Sequence, residues 1–213
     1  LEKAKDKAKP HQRRLREAIE RTGRPLDQAK QVVSGNRVIP DRMVSFHDPD
    51  ARPIKKGKLA KTTEFGYKVR IDETESGFIT GYEVYQGNPS DEELLLSAVE
   101  NHRALFGSLP HAVAADRGFA SKENEDRLAK MGIRHVSIPK RGKKGKKRTE
   151  YERQPWFQNL QRFRAGREAK ISLLKRKYGL ARGRFRGHAG STAWAGMGTM
   201  AHNLRKAAIM RVS

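Results

Sequence analysis

Residues 89–140 alternate helix and short apolar run, and this alternation restricts the fold more than any other feature of the chain. "PSDEELLLSAVENHRALFG" starts with Ser90 at an N-cap position and puts acidic residues in the first turn, where free N–H groups and the helix dipole favour them. "PHAVAADRGF" follows as a short buried strand. "SKENEDRLAKMG" reads as a second helix, capped by Ser121 and stopped at Gly132. "IRHVSIPK" is again a strand. Such an order calls for a sheet with helices on its faces.

Upstream, "DRMVSFHDPDAR" reads as a strand ending in a turn, and "EFGYKVRIDETESGFITGYEVYQGN" as a hairpin folded about "ETESG". Downstream, residues 140–154 form a basic low-complexity stretch expected to be a loop. A long helix opened by Pro155 follows, then Arg/Gly-rich "ARGRFRGHAG" and a terminal helix from Ser191. Residues 1–37 are a basic helical connector with little apolar content beyond Leu15 and Ile19, and contain no convincing helix-turn-helix. The expected fold class is therefore α/β: three antiparallel strands, then alternating α and β, in one mixed sheet over residues 38–213.

Charge narrows the partner. Lys and Arg number 46 against 24 Asp and Glu, a formal charge of +22 over 213 residues. Such a charge opposes compaction and suits a polyanion, nucleic acid first. A membrane surface is the weaker candidate, because no long basic amphipathic helix with aromatic anchors is present. With 36% hydrophobic residues, no run approaches the length needed to cross a bilayer. There are no cysteines, which removes disulfides and thiolate metal sites and fits a reducing, cytoplasmic interior. The chain starts at Leu1 rather than Met, which leaves room for a further module upstream.

Against this excess of cations, a few carboxylates occupy special places. Asp116 ends the run Ala112–Ala115, and strand ends of α/β sheets commonly carry ligand groups. A turn cap or a pair with Arg117 explains it equally well. Asp48 and Asp50 flank Pro49 at the end of the first expected strand, where an Asx-turn is the plainer account. On the long helix, Leu160, Phe163, Ile171, Leu174 and Tyr178 form an apolar stripe at helical spacing. Arg164, Glu168 and Lys175 share one flank of it, and an ordinary Arg–Glu pair would account for the first two. Together, two strand-end aspartates and a helix-borne glutamate can meet at one sheet edge. Converging carboxylates raise one another's pKa unless cations intervene, and Mg²⁺ prefers such hard oxygen donors.

These residues resemble the catalytic domain of a DDE transposase of a bacterial insertion sequence, in the broad IS4/IS5-like group. The resemblance covers about residues 40–205, through "HDPDARPIKKGK", "EFGYKV", "YQGNPSDEELL", "AADRGFAS", "RAGREAKISLLKRKYGLARGRFRG" and "AHNL". Asp116-Arg117-Gly118-Phe119 matches the family's second-Asp motif, and Arg164, Glu168 and Lys175 fit its third-carboxylate signature, with Gln161 where that signature has Tyr. The resemblance implies a ribonuclease H-like fold. It also implies that Asp48 (Asp50 in the alternative), Asp116 and Glu168 hold two Mg²⁺ or Mn²⁺ ions for strand cleavage and strand transfer at the element's ends. DNA is then the partner, held near the site by Arg164 and Lys175, and the synaptic form is a homodimer. His47 needs no role.

"KRGKKGKKR" adds Lys143, Lys144, Lys146 and Lys147 as phosphate contacts, with "RPIKKGKLAK" and "RGRFRGH" as further backbone trackers. None interleaves the aromatics of a single-strand stacking platform, so contact without sequence reading is expected. Trp194 and Met200 are expected in the core. Two other functions fit the same residues: a nucleic-acid-binding protein without catalysis, and a nuclease that cuts without joining.

Overall fold

In the computed structural model, residues 2–58 and 61–212 are described, without the side chains of residues 2–9, 55–58, 61–62, 167–168 and 212. α1 (Glu2–Val33) is one basic helix, exposed along most of its length. Four strands follow: β1 (Arg52–Lys58), β2 (Lys61–Gly66), β3 (Lys68–Glu73) and β4 (Ile79–Tyr85). α2 (Asp91–Phe106) leads to β5 (Ala112–Ala114) and a single 3₁₀ turn, Arg117–Phe119. α3 (Lys122–Lys130), β6 (His135–Ser137), α4 (Lys146–Arg153), α5 (Pro155–Lys177) and α6 (Gly187–Val212) complete the chain.

β5 and β6 run parallel, with Val113 opposite Val136. α2 and α3 pack over them through Leu95, Val99 and Leu128, joined by Ile133 and Ile138 that flank β6; Leu128 and Ile138 are 0% exposed. On the α5 side, buried Phe157 joins Tyr151 and Trp156 in edge-on ring contacts. The hairpin β3–β4 pairs Val69 with Val84 and turns at Gly77, whose φ of +84° suits glycine. Its turn is closed by Thr74 N–H on the Phe78 carbonyl and Gly77 N–H on the Thr74 carbonyl (3.0 and 2.9 Å). Inside the hairpin the Arg70 guanidinium is buried against Asp72, Glu83, the Tyr85 hydroxyl and Ser97.

Four expectations need correcting. First, residues 41–47 are not a strand. The Gln28 amide of α1 faces the Met43 N–H and carbonyl at 2.9 and 3.2 Å, in the amide orientation that pairs both, so the groups a ladder needs are already used. Second, among the described residues the strands pair two by two, β1–β2, β3–β4 and β5–β6, rather than in one mixed sheet. At β4 the cause is visible. His188 donates to the Val84 carbonyl (2.6 Å), and Asn203 holds both the N–H and the carbonyl of Ile79 (2.9 and 2.7 Å). Side chains of α6 thus occupy backbone groups that another strand would need.

Third, part of the basic stretch 140–154 is helical. Glu152, buried on α4, accepts from Lys144, from Arg148 (2.8 Å) and from the Lys140 N–H (2.9 Å), and Arg148 also grips Glu125. Burial raises the Glu152 pKa, but those donors outweigh it and hold the carboxyl below its ordinary value. Fourth, Met200 is 59% exposed rather than core, whereas Trp194 is partly buried and donates to the Gly179 carbonyl (2.8 Å).

Candidate active site

Asp116 stands one residue beyond the β5–β6 ladder, which Ala115 extends by donating to the Ser137 carbonyl (3.1 Å). Its backbone is extended, and its Oδ1 accepts the Arg117 N–H at 2.6 Å, capping the 3₁₀ turn. Capping leaves Oδ2 open, and the side chain is 64% exposed. The turn itself is held firmly. Arg141 donates to the Arg117 and Gly118 carbonyls (3.0 and 2.8 Å) and lies 3.4 Å from Glu92. Asn124, buried, donates to the Glu92 carbonyl (2.7 Å). A Cβ at Gly118 would meet the Asp91 carboxylate at the start of α2, so a side chain there would have to displace it.

Asp48 is not at a strand end, because no strand precedes it. It sits in an irregular segment fixed by side chains from elsewhere. Tyr67, between β2 and β3, donates its hydroxyl to Asp48 Oδ1 at 2.7 Å, and the Asp48 N–H donates to Ser45 Oγ at 3.1 Å. Burial, then the hydrogen bond and charge of Asp48 and the charge of Asp50, push the Tyr67 phenol well above its ordinary pKa. Tyr67 therefore remains a neutral donor in physiological conditions. Asp50 serves a different end: its Oδ2 lies 3.4 Å from the His188 N–H at the start of α6.

α5 brings the third element. Gln161 donates to the Ser137 carbonyl and hydroxyl (2.7 and 3.0 Å), fixing the helix against β6. One turn on, Arg164 reaches to 4.0 Å from Asp116 Oδ1 and 3.3 Å from Gln161 Oε1. Glu168 lies one further turn along α5, and its side chain is outside the described residues. Past it, Lys170 is anchored between Glu73 (3.2 Å) and His202 (3.1 Å), locking α5 to β3 and α6. Burial, against the Asn203 contact and with the charge of Lys170, lowers the His202 pKa and favours the neutral ring that accepts from Lys170. The stripe is narrower than expected, since Leu174 is buried but Ile171 is 52% exposed.

The cations divide into two groups. Lys175, Lys143, Lys146 and Lys147 are exposed. Lys144 and Arg141, from the same basic run, are engaged within the protein, by Glu152 and by the Asp116 turn. In "RGRFRGH", His188 is taken by β4 and Phe185 packs on Trp194, leaving Arg182, Arg184 and Arg186 exposed. Side chains in "RPIKKGKLAK" from Lys55 onward lie outside the described residues.

Tyr67 and Asp91 were not singled out from the sequence as parts of a site, Arg141 was met only within the basic run 140–148, and Gln161 only as the residue standing where the family's signature has Tyr. Only the motif "EFGYKV" pointed toward Tyr67. Among the described residues no three His, Asp or Glu side chains close on a point that could hold a metal ion. By donor chemistry, the open oxygen of Asp116 and the carboxylate of Asp48 suit a hard divalent cation.

A strand-end aspartate faced by an arginine one turn before a helical glutamate, in a strongly basic α/β chain, defines a candidate phosphoryl-transfer domain. The family model described as Transposase DDE domain matches residues 40–204, and the chain belongs to that family. Comparison with curated proteins and with solved structures gave no match.

Proposed function

We propose that residues 38–213 are the catalytic unit of an insertion-sequence transposase of the IS4/IS5-like group. It hydrolyses phosphodiesters at the element's ends and joins the freed ends to target DNA. In this proposal the unit has a ribonuclease H-like arrangement, residues 1–37 are a basic helical connector, and it works as a homodimer on DNA in the bacterial cytoplasm. The observation that carries the reading is the approach of Arg164 to Asp116. It brings the helix bearing Glu168 to the end of β5, within a chain whose family match spans both.

Asp48, Asp116 and Glu168 would hold two Mg²⁺ or Mn²⁺ ions. Bound there, such ions neutralise phosphate charge and provide an activated water. The chain's own residues do the rest. Tyr67 orients Asp48 by donating to Oδ1. Capping of the 3₁₀ turn through Oδ1 orients Asp116, whose side chain is largely exposed. Arg164 restrains the Asp116 carboxylate from α5, and Lys175, two turns past Glu168, offers charge to a flanking phosphate. Lys143, Lys146 and Lys147 draw the DNA backbone by charge alone.

The test is Mg²⁺-dependent cleavage of DNA carrying the element's ends, with DNA affinity measured in parallel. Asp116→Asn and Glu168→Gln should each abolish cleavage and leave affinity nearly unchanged. Salt-sensitive binding without cleavage by the wild type would instead make the chain a binding protein. Cleavage without joining would make it a nuclease.

A further inference from the structure

Two of the proposed site carboxylates are tied together by residues outside the site. Tyr67 holds Asp48, and the next residue, Lys68, reaches the other way. Its ammonium sits 2.5 Å from Asp91 Oδ1 and donates to the Pro89 carbonyl at 2.6 Å. Both partners are largely shielded, Lys68 more than Asp91. The second Asp91 oxygen, Oδ2, lies against Gly118, two residues past Asp116. One carboxylate therefore touches both segments: through Lys68 the one that orients Asp48, and through Gly118 the one that carries Asp116.

We propose that Lys68 and Asp91 are positioning residues which, through Gly118, set the separation of Asp48 and Asp116. The proposal rests on the reading that those two aspartates act at one site. Removing either partner leaves the other charge partly shielded and unpaired, so the pair is held together. Gly118, with no side chain of its own, leaves the place beside the Asp116 turn that the Asp91 carboxylate occupies. Sub-ångström changes in carboxylate separation weaken metal binding and misalign attack. The effect falls on metal affinity and on the rate at saturating DNA, not on DNA affinity.

The experiment uses the full chain, Mn²⁺ as probe and supercoiled plasmid as substrate. Mn²⁺ affinity is read from free Mn²⁺ by electron paramagnetic resonance. Nicking rate at saturating plasmid, plasmid affinity and melting temperature are measured alongside. Asp91→Asn and Lys68→Met should weaken Mn²⁺ binding about tenfold and slow nicking by about one to two orders of magnitude, at unchanged plasmid affinity. Lys68→Arg keeps the pair and should restore both quantities most of the way. Glu93→Gln, which alters the same first turn of α2 without touching Lys68 or Gly118, should behave as wild type.

Mn²⁺ affinity and nicking at wild-type levels in both Asp91→Asn and Lys68→Met, while Asp116→Asn abolishes nicking, would overturn this proposal alone. So would a loss of nicking that follows a fall in melting temperature and is not relieved by Lys68→Arg. A wild-type chain that neither binds Mn²⁺ nor nicks DNA would overturn the proposed function, and this inference with it.

Discussion

The Asp116 turn and the Asp48 segment each present a carboxylate, but they are built in opposite ways. Around Asp116 the chain is regular. A parallel ladder leads into it, a 3₁₀ turn leads out, and a dry core of Leu128, Val136 and Ile138 lies beneath. Residues 41–51 have no ladder. They are pinned by single side chains: Gln28 on Met43, Arg24 and Arg52 on Asp41, Tyr67 on Asp48, and the start of α6 near Asp50. The first region draws its order from apolar burial shared by many groups. The second buries Met43 and Ala51 but otherwise depends on a few polar contacts, each worth about 1 kcal/mol net. Core substitutions should therefore break the first region through stability, and polar substitutions should break the second with stability almost intact.

The largest expected effect is Leu128→Ala. This side chain is fully buried beneath β5 and β6, and its truncation should cost about 2–5 kcal/mol. Urea denaturation should show the loss, with cleavage falling because the Asp116 turn loses its footing. A cost no greater than that of a surface substitution would erase the contrast. Arg141→Ala comes next. It removes two hydrogen bonds from the turn carbonyls in a partly solvated setting, for about 1 kcal/mol. Amide exchange at Phe119 and Ala120 should accelerate, while the 41–51 segment is unaffected.

Tyr67→Phe sharpens the comparison from the other side. It deletes the hydroxyl that donates to Asp48 Oδ1 and should shift the denaturation midpoint little, at most about 1 kcal/mol. It should nevertheless slow cleavage more than Arg141→Ala does. The smallest effect concerns pH. A hydrogen bond from Arg24, opposed by slight burial and reinforced by Arg52, holds the Asp41 carboxyl below its ordinary pKa. Because the folded value is depressed, the stabilisation is complete above the unfolded value of about 3.9 and is lost as pH falls through the folded one. Solvent screening keeps it under about 1 kcal/mol. Limited proteolysis between α1 and β1 should thus be constant from neutral pH down to about 5 and increase only below about 4. An increase at pH 6 would contradict the assignment.

The contrast also explains what was legible in the sequence. The helix starts at Ser90 and Ser121, the hairpin turn at Gly77 and the strand end at Asp116 depend on neighbours a few residues away, and local pattern reports them. Ser121 does cap α3, accepting from the Asn124 N–H (3.0 Å). Residues 41–47 look like a strand because Met43, Val44 and Phe46 are apolar, yet Phe46 and Val38 are exposed and Gln28, from α1, decides the backbone. α4 was hidden by the cations around it, because the buried Glu152 that gathers Lys144 and Arg148 does not stand out in the local pattern. The backbone groups of β4 that another strand would need are taken by His188 and Asn203, more than a hundred residues away in the chain. Of the site, Asp116 and the Arg164–Glu168 spacing could be read from local pattern. The contacts of Tyr67, Lys68 and Asp91 could not, although "EFGYKV" and "YQGNPSDEELL" contain these residues, because they join segments distant in the chain.

The central claim is that Asp48, Asp116 and Glu168 share bound divalent metal. Iron-directed cleavage tests it without knowledge of the DNA ends. The full chain is loaded with Fe²⁺, treated with peroxide and ascorbate, and its fragments are mapped with and without excess Mg²⁺. The account predicts backbone cuts clustered near residues 48, 116 and 168, all suppressed by Mg²⁺ and all lost in Asp116→Asn. Cuts at one of these positions without the others, or cuts that Mg²⁺ does not suppress, would contradict it.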